Sequence, residues 1–472
     1  MTKKLSTVEV AKQAGVHKDT LLRWLRAGLV PEPSRDRKGW RVFTESEANE
    51  VVGFARQEYS ISATTAKALR ETQIDYSAPV LKLQKIDWDF REAKTDYLTH
   101  GIHPYPAKFI PQIPNALIQG LSSVGDTVLD IFCGSGTTLA EALLLKRNAI
   151  GIDANPLACL ISKAKTLRLE EKDEQILREL ESRLGNLIAD FQPNQIGLFG
   201  NEILSGISAE RPKYPQIEFW FEPYVIDELA TLKSLCTSLP TETTRTLALT
   251  VFSSIIVNVS KQDSDTRYVR RSKNIVRGDT FRRFYRALGQ SIIKALEFTD
   301  ATESRFVCDV YQANILQPPR LKSRVDLMVC SPPYPNAYSY HLYHMTRMLW
   351  LDMNQAVFKQ EEIGSHRKYS RKGNGAATVE TFKAELHTIL CWLRSAIKLN
   401  GYACFVIGDS TLNGKVIRND ELLLDVASNE GFTLDGSLTR EMQSTKKAFN
   451  PAIGKIKQEK VVILRNIGGQ NG

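Results

Sequence analysis

The chain has 472 residues, enough for about three domains, and is 42% apolar and 24% charged with only 19 prolines and 28 glycines. This excludes a small disulfide-stapled scaffold, a wholly disordered chain and a fibrous one. A net charge of +9, from 62 basic and 53 acidic side chains, suits a polyanionic partner without demanding one. Seven cysteines, odd in number, far apart and mostly inside apolar runs, read as reduced thiols in a cytosol. No Cys-x-x-Cys pair occurs, so no metal site is expected. Met1-Thr-Lys-Lys-Leu lacks an apolar signal core, and the longest apolar-leaning run, Leu247 to Val259, is too short and serine-broken to span a bilayer. No membrane association is expected.

In chain order, Ser6 and Glu9 form a capping box, and Gly15 breaks two short amphipathic helices apart, the punctuation of a helix-turn-helix. Val8, Ala11, Leu21, Trp24 and Leu25 fall on inward faces, while Lys18, Arg23 and Arg26 project as donors for a DNA groove. Arg35 to Phe43 predicts a basic two-stranded wing turned at Lys38-Gly39 and carrying Arg37 and Arg41, and Ala48, Val51, Val52 and Ala55 mark a further helix. With Ala14-Gly15-Val16, Thr20-Leu21-Leu22-Arg23 and Gly28-Leu29-Val30-Pro31, the first 58 or so residues resemble the winged helix-turn-helix of the MerR and excisionase group. His17 departs from that pattern, where a small cap residue is usual. The other reading is a three-helix protein-interaction domain with solvated arginines. Residues 61–90 lose periodicity and contain Ser77-Ala-Pro79, which predicts a linker with at most one short helix.

Asp126-Thr-Val-Leu-Asp-Ile-Phe-Cys-Gly-Ser-Gly-Thr-Thr-Leu-Ala-Glu-Ala predicts a buried strand, a glycine turn and a helix with Leu139, Ala142 and Leu143 inward. A dinucleotide loop would need a third small residue and a pyrophosphate at the helix start; here Thr137 and Thr138 follow Gly134, Ser135 and Gly136, and Asp130 ends the strand before Phe132. A carboxylate beside the turn repels pyrophosphate but holds an ammonium. The next strand, Ala149-Ile-Gly-Ile-Asp153, ends in an acid 19 residues after Gly134, where a ribose diol would be bound. An amino acid joined to a nucleoside is S-adenosylmethionine, and Asn155 follows within that site.

Val325-Asp-Leu-Met-Val-Cys-Ser-Pro-Pro-Tyr334 predicts a strand that runs into a loop of Ser331, Pro332, Pro333 and Tyr334. Two prolines remove two amide donors and leave carbonyls that only accept. Ser331 and the Pro332 carbonyl would accept from the exocyclic amine of a nucleobase, and Tyr334 would stack on a base rotated out of the duplex. A proline-rich turn with a packed tyrosine is the plainer reading.

On these residues the chain resembles the amino-methyltransferases of DNA, most closely those with a Ser-Pro-Pro-Tyr loop, which usually methylate the N4 amine of cytosine. The resemblance covers about residues 91–170 and 300–466. It implies that Thr95 to Pro111 closes over the methionine part of the cofactor, with Tyr105, Lys108 and Phe109 as binding residues, and that Asp309, ending Phe306-Val-Cys-Asp, meets the adenine amine. A surface-capping aspartate is the alternative for Asp309. Cytosine C5 chemistry in its own family uses a cysteine after proline, and no Pro-Cys dipeptide occurs here. The choice of cytosine N4 over adenine N6 rests on Ser331, where adenine enzymes more often carry Asp or Asn.

The expected fold is α/β: a small winged helix-turn-helix domain over 1–60, the linker, and a Rossmann-like methyltransferase sheet split into 91–170 and 301–468 by a mostly helical insertion over 171–300. Helices are expected over Glu174 to Leu187 and Thr241 to Val259, and later strands over Gly401 to Asp409 and Glu459 to Arg465. Arg267, Arg270 and Arg271 in the insertion, and Arg367 and Lys368 after the proline loop, are candidate phosphate contacts; a solvated basic surface is the other reading. The expected function is site-specific methylation of double-stranded DNA, with a restriction endonuclease as a possible partner and a cytoplasmic, nucleoid-associated location. N6-adenine methylation, a cofactor-sensing regulator with an inactive methyltransferase half, and RNA methylation are the rivals.

Overall fold

The computed structural model describes residues 5–14, 21–22, 24–25, 30–36, 41–55, 78–108, 110–189, 209–214, 216–335, 338–370, 377–412, 414–441 and 458–468. The chain divides into two compact units, Met1–Tyr76 and Ser77–Gly472. In the first, the helix Thr7–Gln13 begins at a complete capping box: Ser6 Oγ accepts from the Glu9 N–H, and the Glu9 carboxylate accepts from the Ser6 N–H at 2.8 Å. Strands β1 (Leu5–Ser6), β2 (Ser34–Arg35) and β3 (Arg41–Phe43) make an antiparallel sheet in the order β1-β3-β2, and β2 and β3 form the wing. Leu21, Trp24 and Leu25 pack with Val10, Ala11 and Phe43. Val8, expected inward, is instead 56% exposed; Val10 and Ala11 supply the inward stripe of that short helix.

The second unit is built on a seven-stranded sheet. Its strands are β4 (Thr127–Asp130), β5 (Asn148–Asp153), β8 (Cys308–Gln312), β9 (Val325–Cys330), β10 (Ile397–Gly408), β13 (Phe432–Glu441) and β14 (Gln458–Asn466), in the order β13-β14-β10-β9-β4-β5-β8. Two hairpins lie outside it: β6 (Gln262–Ser264) with β7 (Arg267–Arg270), and β11 (Ser410–Leu412) with β12 (Lys415–Ile417). The pairs β9–β4, β4–β5, β5–β8 and β9–β10 are parallel, whereas β14 runs antiparallel to β10 and β13. Alternate residues serve opposite faces: Val128, Leu327 and Cys404 pack toward the helix Gln112–Leu121, and Leu129, Met328 and Phe405 toward the helix Val379–Ala396. Covered on both faces, the central strands read as nearly continuous apolar runs. This is a Rossmann-like α/β sheet.

Helix α1 (Thr137–Leu144) follows β4, and α2 (Pro156–Thr166) follows β5. Between β5 and β8 the chain inserts α3 (Glu171–Ala189), α4 (Pro223–Thr237), α5 (Glu242–Val259) and α6 (Asp279–Ala301), which share an apolar core through residues such as Leu184, Leu229, Phe252 and Phe284. Thr241 caps α5 by accepting from the Thr244 N–H. The second half of the expected linker is part of this unit. The helix Ala78–Leu83 and Trp88 join the core beside the helix Gln112–Leu121, and the Trp88 indole donates to the Leu83 carbonyl at 3.0 Å. Three apolar side chains, Val80, Leu83 and Trp88, were too sparse for a periodic signal but sufficient to dock. Among the described residues no helix is long and apolar enough to cross a membrane.

Candidate active site

From β4 the chain moves outward to β5 and β8, then returns on the other side of β4 as β9, so the strand order reverses between β4 and β9. A ligand crevice forms at the carboxyl ends of strands at such a reversal. The glycine loop leaves β4 there and the Ser331-Pro332-Pro333-Tyr334 loop leaves β9 beside it, with Leu129 paired to Met328 one residue below the end of β4. Two loops distant in sequence thus meet because their strands are neighbours.

Gly136, at φ 75°, starts α1 in a left-handed conformation, and a Cβ there would lie 2.9 Å from the Ser162 Cα of α2. The Asp153 carboxylate closes the turn from β5, accepting from the Gly134 N–H at 2.8 Å and the Asn155 N–H at 2.8 Å. Each oxygen keeps a further lone pair for a ligand hydroxyl. Asp130 accepts from the Phe132 N–H at 3.1 Å through one oxygen; the rest of the carboxylate is buried with the Thr138 hydroxyl acting on it. A buried carboxylate served only by an amide and a hydroxyl keeps acceptor capacity that an ammonium ligand would satisfy. Burial pushes the Asp130 carboxyl up to about 7 and that of Asp153 up to about 6.

These shifts have a stability consequence. The unfolded chain releases both protons near pH 4 while the folded chain holds them, so this contribution is fully present below about pH 4 and is lost as pH rises toward 7. Asp130→Asn is expected to melt like the wild type near pH 4 and to be more stable above pH 7, by on the order of 4 kcal/mol at most. A melting-temperature difference that stays constant from pH 4 to 8 would contradict the assignment.

Tyr105 lies against the turn, with its ring 3.5 Å from where a Gly134 Cβ would be and its hydroxyl 3.5 Å from Asn155 Nδ2. The Asn155 carbonyl oxygen is already used to cap α2. Lys108 donates to the His100 carbonyl at 2.9 Å, and Ser135 accepts from Lys165 at 3.1 Å. Phe109 lies outside the described residues. Asp309 needs a correction. It pairs with Ile150 early in β8 and is 3.4 Å from Lys322, whereas Gln312 is the residue level with Asp153. The strand begins at Cys308, two residues later than the apolar run at Phe306 suggests, so its carboxyl end carries Gln312 rather than Asp309.

On the other loop, the Tyr334 hydroxyl lies 3.5 Å from Glu459, which is ion-paired to Arg440 at 2.8 Å. Gly364, at φ 73°, brings its backbone so close that a Cβ would lie 2.5 Å from the Tyr334 carbonyl oxygen. Glu362 accepts from the Tyr340 N–H and from His341 Nδ1 at 2.6 Å, fixing the aromatic segment that follows the loop. Tyr340 stacks on Tyr105 at 5.8 Å, and His344 lies 5.0 Å from the same ring. Sequence reasoning missed Tyr340, His344 and Glu362, whose roles come from contacts across more than twenty residues. Glu141 was also missed, although an acid in the otherwise apolar run of α1 is itself a signal. It is buried and accepts from Tyr97, His100 and Asn115.

The basic candidates are partly spoken for. Arg267 and Arg271 lie 3.5 and 3.3 Å from Asp263, and Arg270 donates to the Phe219 carbonyl and covers its ring. Their hairpin, β6–β7, is held to the segment after the proline loop: Asp265 pairs with the fully buried Arg347, and Gln262 bonds Thr346 and the Tyr343 carbonyl. Lys368 turns inward to Glu385 at 2.6 Å, while Arg367 is exposed and its N–H donates to Ser339 beside Tyr340. Arg41 is held by Glu32 at 2.7 Å; Lys18, Arg23, Arg26 and Arg37 lie outside the described residues.

A model of the DNA methylase family matches residues 40–164, across the glycine loop and Asp153. The chain is similar to DNA methyltransferases. The type II methyltransferase M.MvaI of Kocuria varians is 28% identical over 282 residues, 56% of this chain and 60% of that protein. M.MjaII of Methanocaldococcus jannaschii is 38% identical over 115 residues, 23% of this chain and 21% of that protein, and M.BglI of Bacillus subtilis is 39% identical over 89 residues, 18% of this chain and 24% of that protein. The chain thus spans from about a fifth to three-fifths of the length of these relatives. A MerR family regulatory protein model matches residues 6–43.

Proposed function

We propose that the chain is an S-adenosylmethionine-dependent DNA methyltransferase acting on an exocyclic amine, the N4 of cytosine, in double-stranded DNA, within a restriction-modification or related system. The observation that carries this reading is the meeting of the glycine loop, with its buried Asp130 and half-buried Asp153, and the Ser-Pro-Pro-Tyr loop at one reversal point of the sheet. The cofactor, when bound, supplies an electrophilic methyl group. Asp153 accepts from the ribose hydroxyls, and the buried carboxylate of Asp130 receives the methionine ammonium. Ser331 and the Pro332 carbonyl accept the two hydrogens of the amine, which localises its lone pair for direct displacement, and Tyr334 stacks on the extruded base. Ser331 stands where the adenine enzymes of the resembling family more often carry Asp or Asn, and this favours cytosine.

The β6–β7 hairpin and Arg367 approach the phosphates around the extruded base, and the winged unit reads a separate stretch of duplex. A cognate restriction endonuclease is the partner this role implies. Labelled methyl groups are expected to pass from the cofactor to duplex DNA. Asp153→Ala is expected to weaken cofactor binding by about 1 to 3 kcal/mol, the worth of charge-assisted hydrogen bonds to a ribose. Unchanged affinity by calorimetry in a folded Asp153→Ala protein would sink the cofactor assignment.

A further inference from the structure

Lys165, near the end of α2, is 0% exposed, and its ammonium donates to the Ser135 hydroxyl in the glycine turn at 3.1 Å. Among the described residues no carboxylate pairs with it. Its charged surroundings are basic. Lys108, from the segment before β4, acts on Lys165, and Lys165 acts on His100 and His103 of the same segment. The acid Glu141 is already occupied by Tyr97, His100 and Asn115. The Nδ1 atom of His100 is buried without a partner.

A lysine buried for packing alone would run its stem along apolar surface and keep its head in water or beside an acid. An ammonium shut away with a single hydroxyl is costly unless an anion completes it. Here it sits on the same glycine turn that the buried acid Asp130, with no cation beside it, opens from β4. An amino acid carries an ammonium and a carboxylate on one carbon, so a turn with an acid lacking a cation and an ammonium lacking an anion matches both ends. Lys108 is a poorer candidate, because it is only partly buried and has the acid Asp96 acting on it.

We infer that Lys165 is the receptor for the α-carboxylate of the cofactor's methionine, a deepening of the methyltransferase reading that rests on it. Burial, with Lys108 adding to it, holds the Lys165 ammonium well below the usual lysine range. A carboxylate arriving beside it favours the charged form, so binding takes up a proton.

The test is calorimetric titration of the full chain with S-adenosylhomocysteine and with 5′-methylthioadenosine, which keeps the nucleoside and thioether but lacks the amino acid. Lys165→Met is expected to lose at least about tenfold in affinity for S-adenosylhomocysteine while binding 5′-methylthioadenosine like the wild type. Equal loss for both ligands, or no loss, overturns the inference and leaves the cofactor reading intact. A wild-type chain that binds neither ligand overturns the cofactor reading and the inference together. Should Lys165→Met fail to fold, the wild type decides. Titrations at pH 8 in buffers of different ionisation enthalpy are expected to show net proton uptake with S-adenosylhomocysteine and none with 5′-methylthioadenosine. The same proton balance for both overturns the inference.

Discussion

Tyr334→Ala is expected to remove most methyl transfer while sparing cofactor affinity. Stacking of a base on an aromatic face is worth about 1 to 3 kcal/mol, roughly fivefold to 150-fold in the population of the extruded base. Loss of the side chain also removes the hydroxyl that meets Ser331, so the effect on turnover is expected to exceed that of stacking alone. The cofactor loop belongs to β4 and α1 and does not depend on the Tyr334 hydroxyl, which points to Glu459. Tyr334→Phe separates the two features: it keeps the stacking face, removes the hydroxyl that meets Glu459 and Ser331, and is expected to retain more activity than Tyr334→Ala. Calorimetry and single-turnover transfer on one short duplex read both quantities. A Tyr334→Ala protein that turns over like the wild type would show that the base is held elsewhere.

Deleting residues 1–76, the first compact unit, is expected to leave methyl transfer on short duplexes measurable and to remove a separate, salt-sensitive DNA affinity. The slope of log affinity against log salt becomes shallower by about 0.9 for every phosphate that the winged unit neutralises in the whole chain, and a tethered second module raises local DNA concentration without sharing the chemistry. A truncated chain that binds DNA as tightly as the whole protein across a salt series would assign the winged unit another task. Arg41, already paired with Glu32, is expected to contribute less to that slope than an unpaired arginine would.

Local order was the legible part of this molecule. The capping box at Ser6 and the glycine turn at Gly134 to Gly136 are each encoded within a few residues, and each forms as its spacing dictates. The strands at β4, β5, β9 and β14 are apolar runs bounded by turns, and a doubly covered sheet needs nothing subtler. What depended on long-range pairing was not legible. Asp309 and Gln312 lie in the same short segment, and only the register with β5 decides which of them reaches the edge. Tyr340 gains its place from Tyr105, and Glu362 from His341; no periodicity encodes either. The inward turn of Lys368 to Glu385 follows from the packing of the helix Val379–Ala396, so a basic run in sequence became a structural ion pair in part. Val80 and Trp88 show the same effect, apolar residues too sparse to announce an element that dock once a sheet is there to receive them.

The central claim, methylation of an exocyclic amine in DNA, is tested most directly by mass spectrometry of nucleosides from duplex DNA treated with the protein and isotopically labelled S-adenosylmethionine. The label is expected in N4-methylcytosine. Label in N6-methyladenine would overturn the cytosine assignment drawn from Ser331 and leave the amine chemistry standing. Label in 5-methylcytosine, or in RNA alone, would contradict the account, since the loop at Ser331 to Tyr334 offers acceptors for an amine and no cysteine nucleophile.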